Sequence, residues 1–233
     1  MKFLKLALLG CLFSTAMFAT SILACTEQTL AAYLASSSNC SIGNLVFGSF
    51  SYQGTALGTG VALTPDQITV IPINTAGNVG IEFAANWVGS QVGGSDSAVG
   101  YFVATGSGAA TITAASLGMD ATAAGDANAV LDEYICPGEV FSSTCANQIH
   151  LHDLEGPAGP SSPGPIVLSS TFDPVSYLQL VKDIRVYGVA GTSTVSDISN
   201  EYTAGLATPE PVTPVLCLSG LLLAWVLQKR RSA

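Results

Sequence analysis

The chain has 233 residues, a formal net charge of -9, 48% hydrophobic residues and only 10% charged ones. Between Cys25 and Thr208, fifteen acidic side chains face only Lys182 and Arg185, a balance of -13. So acidic a surface excludes nucleic acid and anionic lipid as partners, and suits cations, neutral glycans or colloidal repulsion outside a cell.

Residues 1–24 read as a signal peptide. Lys2 and Lys5 supply the positive start, Leu6 to Phe18 the apolar stretch, and Ala19-Thr-Ser21 or Ala24 the small residues for cleavage. Ile22-Leu-Ala-Cys25 also approaches a lipobox, which would make Cys25 a lipid attachment point. Cys11 and Cys217 lie in apolar segments, leaving Cys25, Cys40, Cys136 and Cys145 in the exported part. Four cysteines in an exported chain predict two disulfides. Three pairings are open, of which Cys25–Cys40 and Cys136–Cys145 close short local loops. The gaps do not suit paired zinc knuckles.

A helix is expected over Glu27 to Ser36, capped by Thr26, with Leu30, Tyr33 and Leu34 forming one apolar stripe. From Leu45 the period changes to two. Strands are expected around Val46–Tyr52 and over Ala56–Leu63, Gln67–Ile73, Val79–Ala84, Ala98–Thr105, Ala110–Met119, Ala127–Tyr134, Gln148–Asp153, Gly164–Ser169, Val175–Tyr187 and Val195–Asn200. Turns are expected at Thr64-Pro-Asp66, Ala76-Gly-Asn78, Gly93-Gly-Ser-Asp96, Ala124-Gly-Asp126 and Pro137-Gly138. Four prolines keep Glu155 to Pro165 out of any ladder. In the long run Val175–Tyr187, Leu178, Leu180, Ile184 and Val186 share a face. Lys182 falls on it too, which places that residue near an end or edge of the sheet. The predicted fold is all-β: an antiparallel β-sandwich or jelly-roll-like ectodomain over residues 25–203, with a short N-terminal helix and a linker at 204–208.

The tail opens on Pro209, Glu210 and Pro211, continues with the nearly uncharged run Val212–Leu227, and closes on Lys229, Arg230 and Arg231. At about 1.5 Å per residue the run spans about 24 Å as a helix, slightly short of a bilayer core. The terminal cations place the end in the cytoplasm and the preceding domain outside. The triplet, the span and the basic end, in this order over residues 209–231, resemble the PEP-CTERM sorting signal of bacterial surface and exopolysaccharide-associated proteins. Pro214 within the span and the lysine opening the basic end depart from that pattern. The resemblance implies recognition by an exosortase-type membrane protease near Pro209–Pro211 after passage through the secretion translocon. It also implies transient anchoring in the inner membrane, then release to the cell surface or extracellular matrix. Cys40-Ser-Ile-Gly-Asn-Leu-Val-Phe47 with Phe50-Ser-Tyr52 is also similar to the opening of an extracellular domain common in such proteins, which carries no known activity.

Candidate chemistry is sparse. His150 and His152, two apart on an expected strand, project from one face and could hold zinc with a third, carboxylate ligand from elsewhere. No such ligand is in phase nearby, and an exposed polar strand face is the plainer reading. Asp66, Asp96, Asp120, Asp126 and Asp132 lie near turns, as calcium ligands do, without an ordering motif. Glu82, Glu133, Glu139 and Glu155 are the acids open to glycosidase chemistry, while Trp87, Tyr52 and Tyr101 are either sugar platforms or core. No catalytic, cofactor or metal residue is therefore assigned. The expectation is a non-enzymatic structural or interaction protein of the envelope or matrix, with envelope or matrix polysaccharide as a partner class. The alternatives are a glycan- or calcium-binding module and, behind it, a polysaccharide hydrolase.

Overall fold

The computed structural model describes residues 22–75, 78–106, 110–140, 145–156 and 166–206. The signal region up to Ser21, most of the proline-rich stretch and the whole sorting tail lie outside the described residues. No helix among the described residues is long and apolar enough to cross a membrane.

Two sheets face one another. The larger contains β1 (Leu23–Ala24), β3 (Cys40–Ile42), β4 (Leu45–Gly58), β7 (Gly93–Thr105), β9 (Ala127–Pro137), β10 (Ile149–Glu155) and β12 (Tyr177–Gly188). Its spatial order is β1-β3-β4-β7-β12-β9-β10. The smaller contains β2 (Gln28–Thr29), β5 (Thr69–Thr75), β6 (Asn78–Ser90), β8 (Ala110–Ala124), β11 (Ile166–Val175) and β13 (Thr192–Leu206), in the order β11-β8-β13-β6-β5-β2. Beyond the sequential pairs β3–β4, β5–β6 and β9–β10, consecutive strands sit in opposite sheets. The expected sandwich is thus present, and its core includes Phe47, Phe83, Trp87, Tyr101, Leu180, Ile184 and Tyr202. The expected disulfides Cys25–Cys40 and Cys136–Cys145 are both formed. A bonded Cys25 thiol cannot carry the lipid that the lipobox-like sequence suggested.

Several boundaries move. The helix α1 spans Leu30–Ser36, and its cap is Thr29, whose side chain accepts from Ala32 N; Gln28 and Thr29 pair instead with β5. Leu30 and Tyr33 are buried and Leu34 packs beside them, as the stripe predicts. Gly93 to Asp96 is not a turn but the start of β7. The bend falls on Gln91 and Val92, with φ of 44° and 64°. Of the strand expected at Ala56–Leu63, only Ala56 to Gly58 is strand, as the end of β4, and residues 59–63 form a turn and irregular connection. β1 includes Leu23 and Ala24 from the expected signal peptide, and β13 continues through Leu206 into the expected linker. Pro174 is accommodated in β11, an edge strand whose register shifts between Thr171 and Val175.

The largest correction concerns Lys182. It lies on β12, between β7 and β9 and away from any edge, with its side chain fully buried. Its ammonium donates to Glu133, its register partner on β9, which is equally buried. A buried pair is tolerable only when its remaining hydrogen-bonding capacity is met. Asn200 of β13 meets that of the carboxylate from the opposite sheet, donating to both Glu133 oxygens at 3.0 and 2.9 Å and to the Ser116 carbonyl at 3.1 Å. Asn200 Oδ1 accepts from Tyr101 at 2.9 Å, and the Tyr101 and Tyr202 hydroxyls meet at 2.8 Å. This polar chain ties the sheets together through the middle of the core.

Candidate functional site

Alternation along the central strands fixes what the outer face of the larger sheet displays. With Leu180, Lys182, Ile184 and Val186 buried, Val181, Asp183, Arg185 and Tyr187 point outward on β12. With Leu131, Glu133 and Ile135 buried, Asn128, Val130, Asp132 and Tyr134 point outward on β9. His150 and His152 belong to the outward face of the edge strand β10, whose Leu151 and Asp153 turn inward.

Two arrangements form on this face. The first is a cluster at the β9–β10 edge. His152 is the register partner of Asp132, and His150 that of Tyr134. His150 Nε2 lies 2.6 Å and His152 Nδ1 2.8 Å from the same oxygen, Asp132 Oδ1. Partial burial alone would raise the Asp132 carboxyl. The hydrogen bonds from His152 and His150, and their charge when protonated, outweigh it and hold the group below its ordinary value. An ionised carboxylate only accepts, so both rings donate. The His150 ring lies flat on Tyr134, with centroids 4.6 Å apart and planes within 7°. The histidine side chains remain 46% and 50% exposed, so the cluster opens to solvent. On the next strand Asp183, the register partner of Asp132, is pushed up to about 6 by partial burial and by its hydrogen bond and repulsion with Asp96; Arg185 opposes this.

The second arrangement is a shallow depression of about 510 Å³ bordered by Leu57, Gly58, Asn128, Val130, Arg185 and Tyr187. In register, Gly94 of β7 lies between Leu57 of β4 and Tyr187 of β12. A Cβ on Gly94 would stand 1.8 Å from the Val186 carbonyl, so no side chain fits there without moving backbone. Gly94 itself is buried against Gly60, and the depression is bordered on one side by a phenol ring, an amide and a guanidinium.

Other candidates take structural places. Trp87 and Tyr101 are buried core residues, and Trp87 Nε1 donates to Ser97 Oγ across the sandwich at 3.2 Å. Tyr52 is half-buried against the same serine at 3.1 Å. Trp87 and Tyr101 therefore offer no ring face to a sugar. Glu133 is committed to Lys182 and Asn200, and Glu139 accepts from Ala146 N at 3.1 Å. Glu155 is buried near Asp153, and burial raises its carboxyl. Glu82 lies near Asp197 and is raised by partial burial and that charge. The Asp96 and Asp183 carboxyls are in hydrogen-bond contact, too close for the roughly 5–9.5 Å separation of paired glycosidase acids. Of the aspartates read as calcium ligands, only Asp132 joins a His/Cys/Asp/Glu group of metal-binding geometry among the described residues, and its partners there are imidazoles.

No protein family matches the sequence, and no curated protein gives a significant match. Similar solved structures include TmCBM61 in complex with β-1,4-galactotriose, at a TM-score of 0.31 and 8% identity over 65% of this chain and 87% of that one. Another is the enzymatically active domain of tailspike protein 4 from bacteriophage CBA120, at 0.30 and 13% over 64% of this chain but 19% of that one. These are distant structural likenesses, and scores of this size carry no argument about ligand or activity.

Proposed function

We propose that the protein is an exported, non-catalytic glycan-binding protein of the cell envelope or extracellular matrix, which binds on the outer face of its larger sheet. The depression beside Tyr187 carries this reading. A sugar ring offers an apolar C–H face and a rim of hydroxyls. Tyr187 can pack on the former, and Asn128 and Arg185 can meet the latter. The groups stand on paired strands, so little ordering cost attends binding. The residues bordering the depression include no carboxylate or imidazole to act as general acid or base, which suits holding a glycan and not cleaving it. The acidic surface argues for a neutral glycan.

Titration calorimetry against neutral envelope and matrix oligosaccharides tests this. Tyr187→Ala and Asn128→Ala should each weaken binding about tenfold or more, with no reducing ends released on long incubation. Affinity indifferent to both substitutions, or hydrolysis by the wild type, would refute the reading. Delivery is proposed from the tail: exosortase-dependent processing near Pro209–Pro211, with Lys229, Arg230 and Arg231 holding the end in the cytoplasm until then. Deleting Pro209 to Pro211 should leave an unprocessed, membrane-bound form. Intact mass from the native host showing Arg231 retained in all of the protein would sink that part.

A further inference from the structure

We infer that Asp132, His150 and His152 form a zinc site on the β9–β10 edge, with Asp132 Oδ1, His150 Nε2 and His152 Nδ1 as its three protein ligands. The three ligand atoms lie within 4.8 Å of one another. A tetrahedral zinc ion with bonds near 2.1 Å holds its ligand atoms about 3.4 Å apart. The observed 2.6 and 2.8 Å contacts need open by about 0.6–0.8 Å, and the two imidazole nitrogens, within 4.8 Å of each other, need close by at most about 1.4 Å, within the swing of half-exposed rings. Each neutral imidazole then presents a lone pair at the coordinating nitrogen and keeps its proton on the other.

The chemistry of the donor set selects the ion. Calcium and magnesium take oxygen ligands in larger number, whereas two imidazoles and one carboxylate suit zinc and its transition-metal neighbours. Zinc is the choice here because three protein ligands of this kind, with one position left open, match its four-coordinate habit. The outward, solvent-facing placement leaves that fourth position free for water or an exogenous donor. Three local features favour a cation. Tyr134 stacked on His150 limits that ring's rotation. The cross-strand pairing of His152 with Asp132 sets their spacing through backbone bonds. Asp183, the register partner of Asp132 on the adjoining strand, faces the same way and adds a further carboxyl group beside the site. Tyr134 is a positioning residue in this account and touches no metal.

The inference is independent of glycan binding, and its test needs no sugar. The chain contains only two histidines, so the imidazole resonances of the full-length wild-type protein report the site without any substitution. Zinc chloride added to one equivalent should shift both sets of ring signals and then saturate, while calcium chloride should leave them unchanged. Calorimetry should give one zinc per chain. His150→Ala and His152→Ala should each abolish that binding, and Asp132→Asn should weaken it about tenfold or more. Tyr134→Ala should weaken it severalfold, with Tyr134→Phe restoring it. Unmoved imidazole signals at equimolar zinc would overturn the assignment, as would stoichiometric binding that survives the His150→Ala/His152→Ala double substitution. Should a variant fail to fold, the wild-type resonance titration decides alone.

Discussion

Replacing Glu133 with Gln leaves the Lys182 ammonium buried without its counter-charge, in a core where both side chains are fully enclosed. Breaking such a pair from one side costs about 3–5 kcal/mol. Asn200 donates to both Glu133 oxygens, so a Gln carbonyl can keep one of these bonds, and roughly 1 kcal/mol is at stake for the other. For a domain of this size the loss corresponds to a midpoint lowered by about 10 °C or somewhat more. The pH dependence is diagnostic. Burial depresses Lys182, and the charge and hydrogen bond of Glu133 are what push it back up. Without Glu133 it falls further. Between that depressed value and the ordinary lysine value, the unfolded chain binds a proton that the folded chain does not, so stability rises with pH. The Glu133→Gln deficit should therefore shrink between pH 7 and pH 10. Lys182→Met combined with Glu133→Gln removes both charges and should recover most of the loss. Urea unfolding of the four proteins at several pH values, with unchanged m, measures all of this. A Glu133→Gln deficit below about 1 kcal/mol, or a double substitution costing the sum of the singles, would refute the buried pair.

On the outer face, Asp183→Asn should flatten the stability profile. The folded-state value of about 6 exceeds the unfolded 3.8, so wild-type stability falls as pH rises between them, and the variant should be ahead by about 1 kcal/mol at pH 7 after solvent screening. Identical wild-type and variant slopes from pH 4 to 7 would reject this. Replacing Cys25 and Cys40 with Ser should cost about 3 kcal/mol or less, measured by thermal unfolding, because the bond closes the short segment that contains α1.

Much of this arrangement is legible in the sequence because it depends on period. Val99, Tyr101 and Val103 alternate with Gly100 and Phe102, and the first three are buried as that predicts. The local cysteine pairs were likewise readable from loop length. What escaped is whatever depends on partners distant in sequence. A lysine in phase with core residues looks misplaced until its counter-charge, 49 residues away, is seen beside it. His150 and His152 lacked a third ligand because Asp132 lies on another strand, and antiparallel pairing alone brings it opposite. Gly93-Gly-Ser-Asp96 has the composition of a turn, yet those glycines serve close packing: a Cβ on Gly93 would stand 2.5 Å from Gly60 N. The depression beside Tyr187 is bordered by residues of β4, β9 and β12, far apart in sequence, and no local pattern announces it.

The two disulfides have different consequences for the outer face. Among the described residues β10, which carries both histidines, is an edge strand paired only with β9, over seven register positions. Cys136 lies near the end of β9 and Cys145 in the connection to β10, so their bond shortens the free link to the edge strand. β9 itself is held on both sides, by β10 and β12. Replacing Cys136 and Cys145 with Ser should leave Asp132 in place but let β10 separate more often, so part of the cost of docking the histidines falls on metal binding. A loss of about 1.4 kcal/mol is tenfold in affinity, within the reach of a loop constraint whose upper limit is about 3 kcal/mol. The Cys25–Cys40 bond ties down β3 and α1 at the far side of the larger sheet, remote from β10 in strand order, and should leave zinc affinity unchanged. Zinc titrations of both serine pairs beside the wild type separate the cases. Equal affinity in all three proteins would show that the β9–β10 ladder alone positions the ligands. Equal losses in the two variants would show a general loosening of the sandwich, and either result would refute a local role for Cys136–Cys145.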